Sequence, residues 1–154
     1  MAKINPQAAP SGTGSRYPSP FDVPCRERSW QRLGEAAGLT QLGANLVRLG
    51  PGAWSSQRHW HSHEDEFVFV VSGELVLVTD AGEEVLHAGD SAGFPAGARN
   101  GHCLRNRSTS DATFLVVSNR SDEDHGEYSD IDMVFTAGRY SGGGGYCHKD
   151  GTPY

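Results

Sequence analysis

The run Arg58-His59-Trp60-His61-Ser62-His63-Glu64-Asp65-Glu66-Phe67 constrains this chain more than any other stretch. It sets histidines at three alternate positions and leads straight into the apolar run Phe67-Val68-Phe69-Val70-Val71. Side chains of an extended segment alternate between faces, so His59, His61 and His63 can point the same way. Neutral imidazole and carboxylate together suit divalent first-row metals. The run therefore predicts a metal site entering a β-strand.

Short strands surround it. Leu42, Ala44 and Leu46 alternate with Gln41, Gly43 and Asn45, and Val47 and Leu49 close a strand before the turn Gly50-Pro51-Gly52. Phe67 to Val71 and Leu75 to Thr79 read as two strands joined at Gly73, and Asp80-Ala81-Gly82 leads into another from Glu83 to His87. Gly101 to Arg105, Ala112 to Ser118 and Ile131 to Phe135 follow, and the one helical signal is a turn near Trp30 to Ala37. Turn signals at such short intervals predict an all-β barrel or sandwich.

A length of 154 residues suits a single folded domain. Nineteen acidic against thirteen basic residues give a net charge of -6 with no basic block, which argues against a nucleic-acid partner. No apolar run approaches the roughly 20 residues that span a bilayer, and the N-terminus carries no apolar signal core. Neither a membrane nor a secreted location is expected. Cys25, Cys103 and Cys147 are odd in number and lack Cys-x-x-Cys spacing, so they read as free thiols of a cytoplasmic protein.

Two longer patterns resemble the paired motifs of the cupin superfamily. The first, His-x-His followed by Glu and then Gly, is met by His59, His61, Glu66 and Gly73. The second, Gly followed by Pro-x-Gly, His and Asn, is met by Gly89, Pro95, Gly97, His102 and Asn106. The gap from Gly52 to His59 is one residue longer than the family pattern, and that from Gly97 to His102 two longer; both fall in loops, which tolerate additions. The family spacing pairs His59 with His61, because pairing His61 with His63 leaves too few residues before Glu66. The resemblance implies an all-β cupin double-stranded β-helix, a jelly-roll barrel. It also implies one divalent transition metal, Zn, Mn, Fe or Ni, held by His59, His61, Glu66 and His102. His63 is then an extra imidazole at the mouth of the site.

The chain divides accordingly into an irregular N-terminal arm over residues 1–38, the barrel over 39–136 and a Gly-rich C-terminal tail over 137–154. In the arm, Pro6, Pro10, Pro18, Pro20 and Pro24 interrupt every periodicity, so no paired strand is expected before residue 30. Tyr17, Phe21 and Trp30 supply anchors for packing on the barrel or on a partner subunit. Alternation along Gly101 to Asn106 turns Cys103 away from His102, as a small apolar filler, and sets Arg58 and Trp60 opposite His59 and His61. Ser121 to Asp132, His125 included, reads as a solvated acidic loop. Ser141 to Gly145 reads as a flexible linker, and the adjacent Cys147-His148 is no metal pair because neighbouring side chains diverge.

Three imidazoles and one carboxylate leave two positions of an octahedron open, which is a catalytic arrangement and not a closed structural one. The residual positive charge favours an anionic or enolisable oxygen ligand. By the resemblance, a redox-silent ion implies a sugar-phosphate isomerase or epimerase acting on a small hydroxy-carbonyl substrate, with His63, Glu64 or His148 as the base. Iron implies a dioxygenase, and a site without turnover implies a non-catalytic binding module for a small molecule. Arg48, Arg99 and Arg105 are scattered candidates for holding an anionic group. Barrel edges, arm and tail offer surfaces for a homodimer.

Overall fold

Alternating runs and turn glycines resolve into antiparallel sheets in the computed structural model, which describes residues 3–154. The strands are β1 (Ser11–Thr13), β2 (Arg28–Arg32), β3 (Leu42–Leu49), β4 (Glu66–Ser72), β5 (Glu74–Thr79) and β6 (Gly82–His87). They continue with β7 (Ser91–Phe94), β8 (Cys103–Arg105), β9 (Ala112–Asn119) and the short β10 (Gly126–Glu127), β11 (Val134–Phe135) and β12 (Tyr146–Cys147). A single helical turn, α1 (Leu33–Ala36), follows β2. One sheet runs β1-β2-β3-β9-β4-β7, a second β6-β5-β8, and β10-β11-β12 form a small third. This is the expected all-β jelly roll.

Period-two alternation from both large sheets closes one core. Val47 and Leu49 of β3, Val68 and Val70 of β4, and Ala112 and Phe114 of β9 meet Leu75 and Leu77 of β5, Leu86 of β6 and Leu104 of β8. Cys103 turns the opposite way, into a cluster with Val76 and Val78. On the outer face of the larger sheet, Leu46 and Phe69 flank Leu115, and Ala44 and Phe67 flank Val117. The stripe Leu42-Ala44-Leu46 therefore looks outward, while Gly43, Asn45 and Val47 line the interior.

The N-terminal segment departs from expectation. Ser11–Thr13 pairs with Ser29–Gln31, and Arg28–Arg32 pairs with Asn45–Leu49, so the sheet gains two strands there. Pro18, Pro20 and Pro24 all fall in the connection between β1 and β2, where no ladder donor is lost. Glycine at position 12 lets the two strands close, since a Cβ there would lie 2.4 Å from the Trp30 ring. The linker expected at Ser141 to Gly145 is also ordered: the N–H groups of Gly142, Gly143 and Gly144 all donate to Gly138 O. Beyond it β12 pairs with β11, which ties the tail to the body. No helix among the described residues is long and apolar enough to cross a membrane.

Two motif residues have structural duties. Gly73 turns the β4–β5 hairpin at φ 79°, and a Cβ would sit 2.8 Å from Ala112 Cα and Asp111 O. Asn106, 1% exposed, donates through Nδ2 to Leu49 O and Ser110 O, and its Oδ1 accepts from Ser108 N and Oγ. Its amide thus clamps the end of β3 to the loop before β9. Asn106→Ala should lower the unfolding free energy by roughly 2–4 kcal/mol in urea denaturation; a change within about 0.5 kcal/mol would contradict the clamp.

Candidate functional site

His59 and His102 face each other through a backbone bridge, with His59 N donating to His102 O at 3.2 Å and His102 N to His59 O at 2.9 Å. Glu66 opens β4 beside them, paired with Phe94 and Ser118. The side chains of His59, His61, Glu66 and His102 converge. The Nε2 atoms of His59 and His61 are 3.1 Å apart, Glu66 Oε1 lies 3.4 Å from His102 Nε2, and Glu66 Oε2 lies 4.0 Å from His61 Nε2. Donors about 2.1 Å from one ion and at right angles to one another lie about 3 Å apart, a spacing that the His59–His61 and Glu66–His102 pairs approach.

Their protonation fits that use. Burial, followed by the neighbouring His61 and His102, pushes His59 well below the usual imidazole range and keeps it neutral. Burial alone raises the Glu66 carboxyl, but contact with His102 and the other imidazoles outweighs it and brings the group down to about 2. Both ring nitrogens of His102 are buried without a hydrogen-bond partner, an arrangement that is costly unless something else meets them. Phe94 stacks flat on that ring at 3.6 Å and fixes its plane. His59 Nδ1 sits 2.9 Å from Gln57 O, which turns Nε2 toward the cluster.

Behind the cluster the acidic stretch is not wholly a solvated loop. Asp124 is fully buried and accepts from His61 Nδ1 at 2.7 Å and from His63 N at 3.0 Å. That contact fixes the His61 tautomer, as a carboxylate behind a metal-binding imidazole does. Glu64, 2% exposed, accepts from Ser121 N, from the Tyr140 hydroxyl at 2.8 Å and from Arg139 at 2.9 Å. His61, Glu64 and Asp124 also bring potential ligand atoms within 4.8 Å of one another. A cation among those three would have to displace the donors already bound to both carboxylates.

His63 does not join it. From His61 to Asp65 the backbone is irregular, alternation lapses, and the His63 side chain turns outward to Ser62 Oγ at 2.8 Å and toward His125. His148 is held by Asp132 at 2.9 Å and stacked on Tyr154. Neither lines the cavity of about 560 Å³ whose wall includes His59, His61, Glu66, His102 and Glu64. The arginines expected to hold an anion are elsewhere too: Arg48 pairs with Asp111, and Arg105 and Arg99 lie over Trp54 and Trp60. Five other arginines, Arg16, Arg28, Arg32, Arg120 and Arg139, line the cavity instead.

Comparison with known proteins places the fold in a family. Residues 45–118 match the family model described as the cupin domain. A solved sugar phosphate isomerase of the cupin superfamily from Silicibacter pomeroyi is 46% identical, with a TM-score of 0.94 over 99% of this chain and 96% of that one. The chain belongs to the cupin superfamily. A second structure, from Acidithiobacillus ferrooxidans and described provisionally as a sugar phosphate isomerase, is 28% identical with a TM-score of 0.74 over 82% of this chain and 80% of that one. A polyketide cyclase from Streptomyces resistomycificus shares the fold at 20% identity, with a TM-score of 0.63 over 77% and 79% of the two chains. Curated proteins give no significant match. In this cupin the two motif halves meet in one cavity, joined by Asp124, Arg139 and Tyr140 from segments that carry no motif.

Proposed function

We propose that this cupin is a metal-dependent enzyme of the sugar-phosphate isomerase or epimerase type. Its substrate is a small hydroxy-carbonyl compound, and His59, His61, Glu66 and His102 hold one divalent transition metal, Zn, Mn, Fe or Ni. The observation that carries this reading is the convergence of those four side chains on a cavity, with neither His102 nitrogen making a well-formed hydrogen bond within the chain. The Silicibacter pomeroyi relative, named a sugar phosphate isomerase, supports the same class.

A bound ion would act as a Lewis acid on a substrate oxygen. The chain supplies the remainder. Asp124 keeps His61 Nε2 turned to the site. Moving a hydrogen between neighbouring carbons needs a base within reach of the substrate. Glu64 is a buried carboxylate on the cavity wall beside His61, and we assign the transfer to it in place of His63 or His148. Arg139 and Tyr140 hold its oxygens in position. Three free cysteines fit the reducing cytoplasm we propose as its setting.

Aldose and ketose phosphates incubated with metal-loaded protein in D2O and followed by proton NMR should interconvert and take up solvent deuterium. Glu64→Gln should lower kcat by roughly 100-fold or more with the metal content unchanged. Oxygen uptake without isomerisation would favour a dioxygenase, and a ligand bound stoichiometrically and recovered unchanged would favour a binding module; either result contradicts the proposal.

We also propose that two copies associate through the outer face of the larger sheet. Phe67, Phe69 and Val71 of β4 are 46%, 39% and 49% exposed and stand beside Leu115 and Val117 of β9. An apolar row of this kind is unfavourable in water and self-complementary under a two-fold axis. Light scattering should return twice the 16.6 kDa chain mass for wild type and the single mass for Phe69→Glu. A monomeric wild type at micromolar concentration would refute the pairing.

A further inference from the structure

The cavity arginines are not equivalent. Arg32 pairs with Glu35 at 3.0 Å, Arg120 approaches the same carboxylate at 3.8 Å, and Arg139 is bound to Glu64. Arg28 differs. It lies on β2 in register with the buried Leu49, and its Nε is buried with no hydrogen-bond partner. No carboxylate among the described residues pairs with its guanidinium. A group with five N–H donors and a permanent charge leaves much unmet in such a position.

Three phenols surround the same part of the cavity. Tyr17 packs against Tyr128 and Tyr146 with ring centroids 5.4 and 5.5 Å apart, and the Tyr128 and Tyr146 rings are 6.2 Å apart. All three line the cavity with Arg28. Burial raises all three hydroxyls above the ordinary phenol range, so they are neutral donors at physiological pH, and Tyr17 and Tyr146 both feel the Arg28 charge. Arg16, exposed to solvent, lines the same cavity and adds a second cation. Tyr128 also connects this group to the four-residue cluster, because its ring is 5.5 Å from that of His59 and its backbone bridges to His59. The ring of Tyr128 thus stands between the other two phenols and the proposed metal centre. The chain as a whole carries a charge of -6, so an anion is attracted only by a local device of this kind.

We propose that Arg28, with the hydroxyls of Tyr17 and Tyr146 and the exposed guanidinium of Arg16, receives the phosphate group of a phosphorylated substrate whose carbonyl end faces the His59 cluster. The inference rests on the reading of this cavity as the active site. A phosphate monoester dianion offers three terminal acceptors, which match a guanidinium fork and adjacent hydroxyls. A neutral sugar would leave the charge of Arg28 unanswered.

Inorganic phosphate is the probe. It is titrated calorimetrically into the full-length chain, both as purified and after metal is stripped by chelation, so that no ion binds it instead. Wild type should take up one phosphate per chain in both forms, Arg28→Gln should bind it at least tenfold more weakly, and Arg28→Lys should fall between. Arg48→Gln, at an arginine outside the cavity, should bind phosphate as wild type does, which separates the subsite from surface charge. Phosphate binding that is absent from stripped wild type, unchanged in Arg28→Gln, or lost in Arg48→Gln overturns the proposal. So does acetate binding as tightly as phosphate. Should Arg28→Gln fail to fold, Tyr146→Phe decides the matter: a severalfold loss is expected, and unchanged binding overturns the assignment. The two readings fail differently. Without isomerase activity, phosphate would still bind through Arg28; without the subsite, turnover of sugar phosphates would persist with KM unaffected in Arg28→Lys.

Discussion

The backbone bridge between His59 and His102 is the contact on which the rest of this structure depends. The two residues stand 43 positions apart in the chain by their numbers, and each donates its N–H to the other's carbonyl. That exchange brings the first motif's imidazoles against the second motif's imidazole before any side chain makes a contact. The β4–β5 hairpin at Gly73 and the amide clamp of Asn106 serve it, since both fix where the sheets carrying the two motifs end. The motif residues that ligate nothing are therefore as much part of the site as those that can.

Charge is arranged in this cavity with little redundancy. Desolvation keeps His59 neutral, while the imidazoles about Glu66 keep it ionised, and each tendency favours metal ligation. Asp124 and Glu64 are both buried carboxylates with every strong contact accounted for, the first by His61 and the second by Arg139, Tyr140 and Ser121. Buried charges persist only when so matched. Among the described residues, Arg28 and His102 are the two lining this cavity with buried side-chain polar atoms that find no hydrogen-bond partner.

Much of this was legible in the sequence where the information is local. Alternation gave β3, β5, β6 and β9 nearly to the residue, and the motif spacing pointed to His59, His61, Glu66 and His102, whose side chains lie near one another. What stayed hidden depends on contacts distant in the chain. Asp124 looks solvated among Ser121, Asp122 and Glu123, and only its position 63 residues from His61 in a folded barrel buries it. The strands β1 and β2 are masked by prolines that fall between them and not in them. The outward choice of His63 follows from the irregular backbone between His61 and Asp65, where the sequence pattern implies continued alternation. Arg28 carries no local signal at all, since its meaning comes from a sheet position facing the cavity and from the lack of an acidic neighbour.

The most direct test of the central claim is elemental analysis of protein purified without a histidine tag or chelator, beside His59→Ala and His102→Ala variants prepared the same way. The account predicts close to one divalent transition metal per chain in wild type and its loss from both variants. Metal retained by both variants, or absent from wild type even after reconstitution, would contradict it.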